Sequence, residues 1–502
     1  MIARVFRAGT YTAKNLLAQY KDSVCKTKIL YLAAVLALLP SSVHAACHAV
    51  TPSGSGSKSG ADWNNAYAGI PGTLTRGDTY YFADGSYGSY TFSQAASGTS
   101  VIHFKKAQSY DFGRSSDGCS NDISTGWNTS TMGSGQAKFS GNGTIFLVNA
   151  TFFDMNGNGT STGPGCGGGG SSGNVSALPP TPTDCGFILD NTGDTATTAL
   201  AFVPDPANST FEYVEVREAG DNANDQFDIK GYGSNTTYTH LYMHNSGCVF
   251  MQSLGSNTTV NLSYFWGTET NGSNGSCHGQ AEFAEGGQNN NVRSNNVYRD
   301  VIGTAIWTVA GPGSGTASNW VFYNNVIWYS SPLASWVSGA GSAAPSDGIV
   351  ACINSGVSCS GFQLYQNSIV NVPSFGVPGI NSENAGTYTV ENNLWYQDSF
   401  GINLPSSGMT QDHNSFLNST TSCPSGTANV CNNSSANPFT NWQGGNFTLA
   451  SDGASWNNRI SLGSPYNIDL VGDAFTTDRG TYQYVSESGG PQPPTNLLAT
   501  VQ

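Results

Sequence analysis

Five segments decide the fold: Gln226-Phe-Asp-Ile-Lys230, Cys248-Val-Phe-Met-Gln252, Gln280-Ala-Glu-Phe-Ala284, Thr304-Ala-Ile-Trp-Thr308 and Ile349-Val-Ala-Cys-Ile353. Four of them follow a glycine (Gly247, Gly279, Gly303, Gly348), and the first follows Asp225. Laid under one another, their second positions are Phe227, Val249, Ala281, Ala305 and Val350. Their fourth positions are Ile229, Met251, Phe283, Trp307 and Cys352. Apolar residues at period two indicate strands, and a shared phase puts the same face inward in every copy. The first, third and fifth positions then face outward.

Working outward from these strands, a Gly- and Asn-rich turn leads to a second strand, as in Thr237-Tyr-Thr-His-Leu241 and Thr259-Val-Asn-Leu-Ser263. An asparagine then recurs in an aromatic-x-Asn or Asn-Asn context, which aligns Asn296, Asn325, Asn367, Asn393 and Asn414. Asparagines stacked in successive turns can hydrogen-bond the coil above and below. Coils of 21 to 45 residues follow from this alignment. Regular leucines, regular propeller blades and strict hexapeptides are all missing, so leucine-rich, propeller and left-handed solenoids are excluded. Variable coils with parallel crossovers predict an all-β, right-handed parallel β-helix forming a single domain over residues 46–486.

The composition agrees. Charged residues are 10% and glycines number 62, which excludes a helical bundle, while 11% aromatics exclude a disordered chain. Six basic residues from Arg4 to Lys28 precede an apolar run, Ile29 to Leu39, and then Val43-His44-Ala45. This reads as a signal peptide over 1–45, so a secreted protein with no membrane span after processing is expected. Without residues 1–45 the 18 basic residues lose six and the 32 acidic lose one, and the net charge moves from −14 to −19. No basic run remains, which excludes nucleic acid as a partner. The 11 cysteines lose Cys25 and become even in number, suggesting local bridges Cys166 to Cys185, Cys352 to Cys359 and Cys423 to Cys431, with Cys248 to Cys277 also in reach. Residues 487–502 read as a Gly/Pro-rich, linker-like tail.

The stretch from Asp62-Trp63-Asn64 through Arg76-Gly77-Asp78-Thr79-Tyr80-Tyr81-Phe82 to Asp84-Gly85-Ser86-Tyr87 resembles the first coil of the pectate-lyase-like superfamily of right-handed parallel β-helix proteins. The motif Asp478-Arg479-Gly480-Thr481-Tyr482-Gln483-Tyr484 resembles the usual last strand of that superfamily. The resemblance implies the fold and a polysaccharide partner, and the protein is expected to be a monomer. It does not imply one activity, because the superfamily holds lyases, hydrolases, epimerases and non-enzymes.

The outward positions of the five strands give the candidate site. Asp228, Lys230 and Glu282 fall on that face, and His278 stands beside it next to Cys277. Phe250, Gln252, Tyr232 and Trp336 are candidate sugar contacts, and Asp221 and Asp225 are candidate Ca²⁺ ligands, although a D-x-D-x-D-G spacing is missing. His240, His244 and His413 fall on later strands or turns and read as structural. Asp228 and Glu282, two coils apart, are expected to have Cα atoms about 9–10 Å apart. Three functions compete. A polysaccharide lyase would take a base such as Lys230 or His278, with Ca²⁺ offsetting the acidic surface. A glycoside hydrolase would use Asp228 and Glu282 as its two carboxylates. A non-catalytic protein would bind glycan at the cell surface.

Overall fold

The computed structural model describes residues 45–485 apart from 142, 167–183, 193–199, 205–206, 218–226, 232, 248, 269–278, 304, 312–314, 334–347, 354–356, 373–378, 383–385, 399–406, 420–423 and 433–436. The described strands form three parallel sheets of 14, 12 and nine strands, here the first, second and third sheets. Each coil visits them in a fixed order. Phe227–Lys230 lies in the third sheet, Thr237–Thr239 in the first and Tyr242–Ser246 in the second, and Val249–Gln252 returns to the third. This is the right-handed parallel β-helix read from the repeat. Coil length varies from 15 residues, Ser415 opposite Val430, to 56, Asp154 opposite Thr210. The length differences are absorbed between sheets, so the strands keep a continuous ladder.

The interior is one apolar column. Phe104, Met155, Phe211, Tyr238 and Val260 from the first sheet meet Val216, Met243, Phe265 and Ile327 from the second, and Ile229, Met251, Trp307 and Val350 from the third. Stacking of like on like continues in the aromatics: Phe265 stacks on Tyr298 with centroids 4.8 Å apart, and Phe211 on Tyr238 at 5.3 Å.

The asparagine ladder is present at the turn from the first sheet to the second. The Asn325 backbone N–H donates to Asn367 Oδ1 (3.1 Å), that of Asn367 to Asn393 Oδ1 (2.9 Å), and that of Asn393 to Asn414 Oδ1 (2.9 Å). It runs on in both directions, from Ser263 through Asn296 to Asn429. Each amide also donates to the backbone of the preceding coil, as Asn367 Nδ2 does to Phe322 O. A buried turn is thereby satisfied without water. Asn367→Ala strips acceptors from two Asn325 donors at once. It is expected to cost about 2–4 kcal/mol in denaturant unfolding, since a buried donor left unmatched costs about 1–3 kcal/mol. A loss below 0.5 kcal/mol would mean that water or a neighbour replaces the amide.

The Asp478–Tyr484 motif behaves differently from its sequence reading. It forms no strand of the coil and clamps the outer face of the second sheet. Arg479, fully buried, donates to Asn414 O (3.0 Å), Ala428 O (2.9 Å) and Asn458 O (2.9 Å), and Thr481 Oγ1 donates to Asn325 O (2.9 Å). With Phe439, Trp442, Phe447 and Tyr482 this C-terminal segment covers Trp328, Val370, Leu394 and Tyr396. The upper coils of the second sheet thus lie under this segment, and lower coils, at Tyr242 and Tyr264, pack with the Cys166–Cys185 bridge.

Disulfides join Cys166 to Cys185 and Cys352 to Cys359, as the spacing suggested, and Cys47 to Cys119, a bridge across 72 residues that proximity in sequence could not reveal. Cys431 is disulfide-bonded as well. Cys423, Cys248 and Cys277 lie outside the described residues, as do 1–44 and the tail from 486. Among the described residues, no helix is long and apolar enough to cross a membrane.

Asp398, one of several buried acids, is expected to make stability depend on pH. Asp398 is fully buried; its Oδ1 accepts the Val372 N–H at 2.9 Å, and its Oδ2 has no partner among the described residues. Burial pushes this carboxyl well above the ordinary carboxylate value, so the folded state keeps a proton that the unfolded chain releases near pH 4. The stability this confers is complete below the unfolded pKa and is lost as pH rises through the folded one. Asp398→Asn keeps the shape and removes the titration. Its melting temperature is expected to match the native protein at pH 4 and to exceed it by a few degrees at pH 8. A constant difference across that range would refute the assignment.

Candidate functional site

The outward face of the third sheet is the place to which the repeat assigned chemistry. Its register is Lys230 opposite Gln252, Gln252 opposite Phe283, Phe283 opposite Thr308, and Thr308 opposite Ala351. Lys230 is half-buried on this row. Gln252 is buried and donates from Nε2 to Glu285 Oε1 at 2.9 Å, and Gln280 Nε2 donates to Thr308 Oγ1 at 2.6 Å. The row is therefore a lysine followed by hydrogen-bonded amides and one carboxylate, Glu285, which the sequence alignment passed over. The signal for Glu285 was its position three residues after Glu282, at the end of the strand Glu282–Glu285.

Glu282 is not on this face. It is 2% exposed and lies opposite Met251 and Trp307, both core residues. Its two oxygens accept Arg293 Nε and Nη2, each at 2.5 Å. Arg293 is itself inward-facing on the first sheet, between Val260 and Phe322, with its guanidinium 5.0 Å from the Trp320 ring. The pair crosses the interior of the coil. The cause of the error is one residue of register. From Gly247 to Met251 and from Gly303 to Trp307 there are four steps, whereas only three separate Gly279 from Glu282. Aligning the glycines shifted this strand by one, and a shift of one exchanges the two faces of a strand. Phe283 accordingly faces outward, half-buried, where the alignment had it inside.

Phe250 is also corrected. It is fully buried and meets Phe265 edge-on at 5.5 Å. Both Phe250 and Met251 belong to the core, as do Ile306 and Trp307. Val249, Phe250 and Met251 are all buried in the strand Val249–Gln252, so strict alternation of an exposed and a buried face does not hold there. Ile229 and Trp307 are buried as expected. The backbone of Asp228 lies in the strand Phe227–Lys230, but its side chain and that of Phe227 are outside the description. Tyr232, His278, Trp336, Asp221 and Asp225 likewise lie outside the described residues.

The three histidines read as structural are engaged in local contacts. His240 stacks on Tyr213 at 4.4 Å, and burial brings its pKa down to about 4. His244 lies 3.1 Å from Glu215. Burial lowers the pKa of His413, aided by Arg479.

No protein-family model matches the chain, and no curated protein matches it in sequence. Solved structures do. A pectate lyase is 14% identical with a TM-score of 0.46, over 88% of this chain and 96% of that one. A rhamnogalacturonan lyase is 11% identical with a TM-score of 0.42, over 74% and 87%. A PL6-family alginate lyase is 12% identical with a TM-score of 0.38, over 75% and 53%.

Proposed function

We propose that the protein is a secreted polysaccharide lyase working on the outward face of the third sheet, with Lys230 as its base. The observation that carries this reading is the withdrawal of Glu282 into the core. The hydrolase alternative needed Asp228 and Glu282 on one surface with a water between them. With Glu282 held by Arg293, that pair is not available to a substrate. Elimination needs no second carboxylate. It needs a base to take the proton beside a uronate carboxylate, and donors to stabilise the charge that develops. Lys230 supplies a half-buried amine on the outward row, opposite the buried amide of Gln252. His278, Asp228, Tyr232 and Trp336 enter the proposal from the sequence reading alone, and the disulfides support an oxidising, extracellular setting.

Calcium enters as part of this proposal through Asp221 and Asp225. Among the described residues no group of three or more His, Cys, Asp or Glu side chains could hold a metal ion, so no step is assigned to one. Activity that disappears with chelator and returns with Ca²⁺ would support these ligands; activity indifferent to chelator would remove them.

Lys230→Ala is expected to lower the rate of unsaturated-uronate formation on polygalacturonate or alginate by at least about 100-fold, the scale of general base catalysis. Melting should be unchanged, since the side chain faces outward. New reducing ends without ultraviolet-absorbing product would sink the lyase reading, and absence of any product would leave a binding protein.

A further inference from the structure

The third-sheet row that holds Lys230 is poor in positive charge. Lys230, Gln252, Phe283, Thr308, Ala351 and Asn381 are successive register partners, about 4.8 Å apart. Lys230 is the one cation among these six. Glu285 is the next outward residue after Phe283, since the strand Glu282–Glu285 alternates buried and half-buried side chains. It lies on the coil above Gln252, whose Nε2 donates to its Oε1 at 2.9 Å. Lys230 and the Glu282–Glu285 strand are two coils apart, about 9–10 Å. Amine and carboxylate thus share one short stretch of the face.

The amides do not make up for the missing charge. Gln252 is buried, its Nε2 is turned onto the Glu285 carboxylate, and its Oε1 has no partner among the described residues. That oxygen is an acceptor, where a substrate carboxylate would need a donor. Gln280 Nε2 is turned onto Thr308 Oγ1 at 2.6 Å. Between the two amides the half-buried Phe283 ring stands in the row. The face therefore joins one amine, one carboxylate, an acceptor oxygen and an apolar ring.

We propose that this face takes uronate chains whose carboxyl groups are methyl-esterified, in preference to the free polyanion. The proposal rests on the reading of the third sheet as the substrate face with Lys230 as base. A free uronate would bring its charge towards Glu285 on an already acidic molecule, and like charges brought together cost affinity. The ester brings no charge, and its methyl group meets apolar surface at Phe283. The chemistry agrees. In elimination Lys230 takes the proton from the carbon beside the carboxyl, the C–H electron pair forms the new double bond, and the glycosidic C–O bond breaks. The leaving oxygen takes up a proton, and the Lys230 ammonium returns one to solvent. From a free uronate the developing charge adds to a full negative charge. From the ester it starts at zero, and a single amine can match it.

The test compares a galacturonate hexamer with its fully methyl-esterified form. Binding is measured by titration calorimetry on the full chain carrying Lys230→Arg, which keeps the positive charge and cannot act as the base. The ester is expected to bind at least about ten-fold more tightly, with chelator and with Ca²⁺ alike. Glu285→Gln in the same background keeps an acceptor for Gln252 Nε2. It should tighten binding of the free hexamer at least about three-fold and leave the ester within about two-fold. Equal or tighter binding of the free hexamer in either buffer overturns the proposal. So does binding of neither hexamer, or an unchanged gap in a Glu285→Gln variant that melts like its parent. The first comparison stands even where Glu285→Gln does not fold. Turnover by the native protein separates this inference from the lyase reading. Preferential binding of the ester with no unsaturated product from either hexamer overturns elimination and supports the preference. Unsaturated product from both at equal kcat/KM keeps elimination and overturns the preference.

Discussion

Glu282→Ala is expected to destabilise the protein by about 3–5 kcal/mol, because it leaves the Arg293 guanidinium buried without its counter-charge. The residue is 2% exposed and Arg293 is fully buried, so water cannot take the place of the lost carboxylate. Arg293 would retain only its bonds to Thr258 and to the Val292 carbonyl, from Nη1 to Thr258 O at 3.0 Å and to Val292 O at 2.8 Å, and from Nη2 to Thr258 Oγ1 at 3.1 Å. Replacing both partners is a different experiment. Glu282→Leu with Arg293→Met removes two desolvated charges together and should recover most of the loss, since buried pairs often gain little over apolar residues of similar volume. Urea unfolding of the two variants measures both effects. A single variant within 1 kcal/mol of the native protein would mean that the pair is solvated after all.

Trp307→Ala should cost about 3–5 kcal/mol by the removal of a large core side chain. Trp307 is 1% exposed. It meets Phe322 at 4.5 Å and Tyr298 edge-on at 5.0 Å, and its Nε1 donates to the Tyr298 hydroxyl at 3.3 Å. The loss combines transfer of the indole with a cavity that the stacked coils cannot close, because each strand is held by ladders above and below. Trp307→Phe keeps most of the volume and should lose less than half as much. Equal losses for Ala and Phe would show that the hydrogen bond to Tyr298, not packing, is what the indole contributes.

These two residues also mark where sequence reading succeeded and where it failed. Trp307 was assigned inward correctly, and Glu282 was assigned outward by the same alignment. The difference lies in one residue between a glycine and its strand. Coil length is free to vary because the bends between sheets carry no periodic constraint, so a glycine before a strand is an unreliable anchor for its phase. The asparagines made a better anchor. Each Asn from Asn296 to Asn414 must reach the turn of the preceding coil, and that requirement holds the register fixed at every step.

The sequence by itself determined the class of fold. Period-two strands, recurrent asparagines and variable spacing admit one economical solution, a parallel coil, because every backbone group can then pair with the coil on either side. It also determined the two short-range disulfides, whose partners are near in the chain. Only the tertiary structure decided which acids face the core, how Cys47 reaches Cys119, and that the Asp478–Tyr484 motif clamps the outer face of the second sheet. These depend on residues far apart in the chain meeting across the coil: Glu282 and Arg293 come from different sheets, and Lys230, Gln252 and Phe283 become one row only when three coils are stacked. Local pattern records which residues alternate; the partner opposite each of them is set by the three-dimensional register.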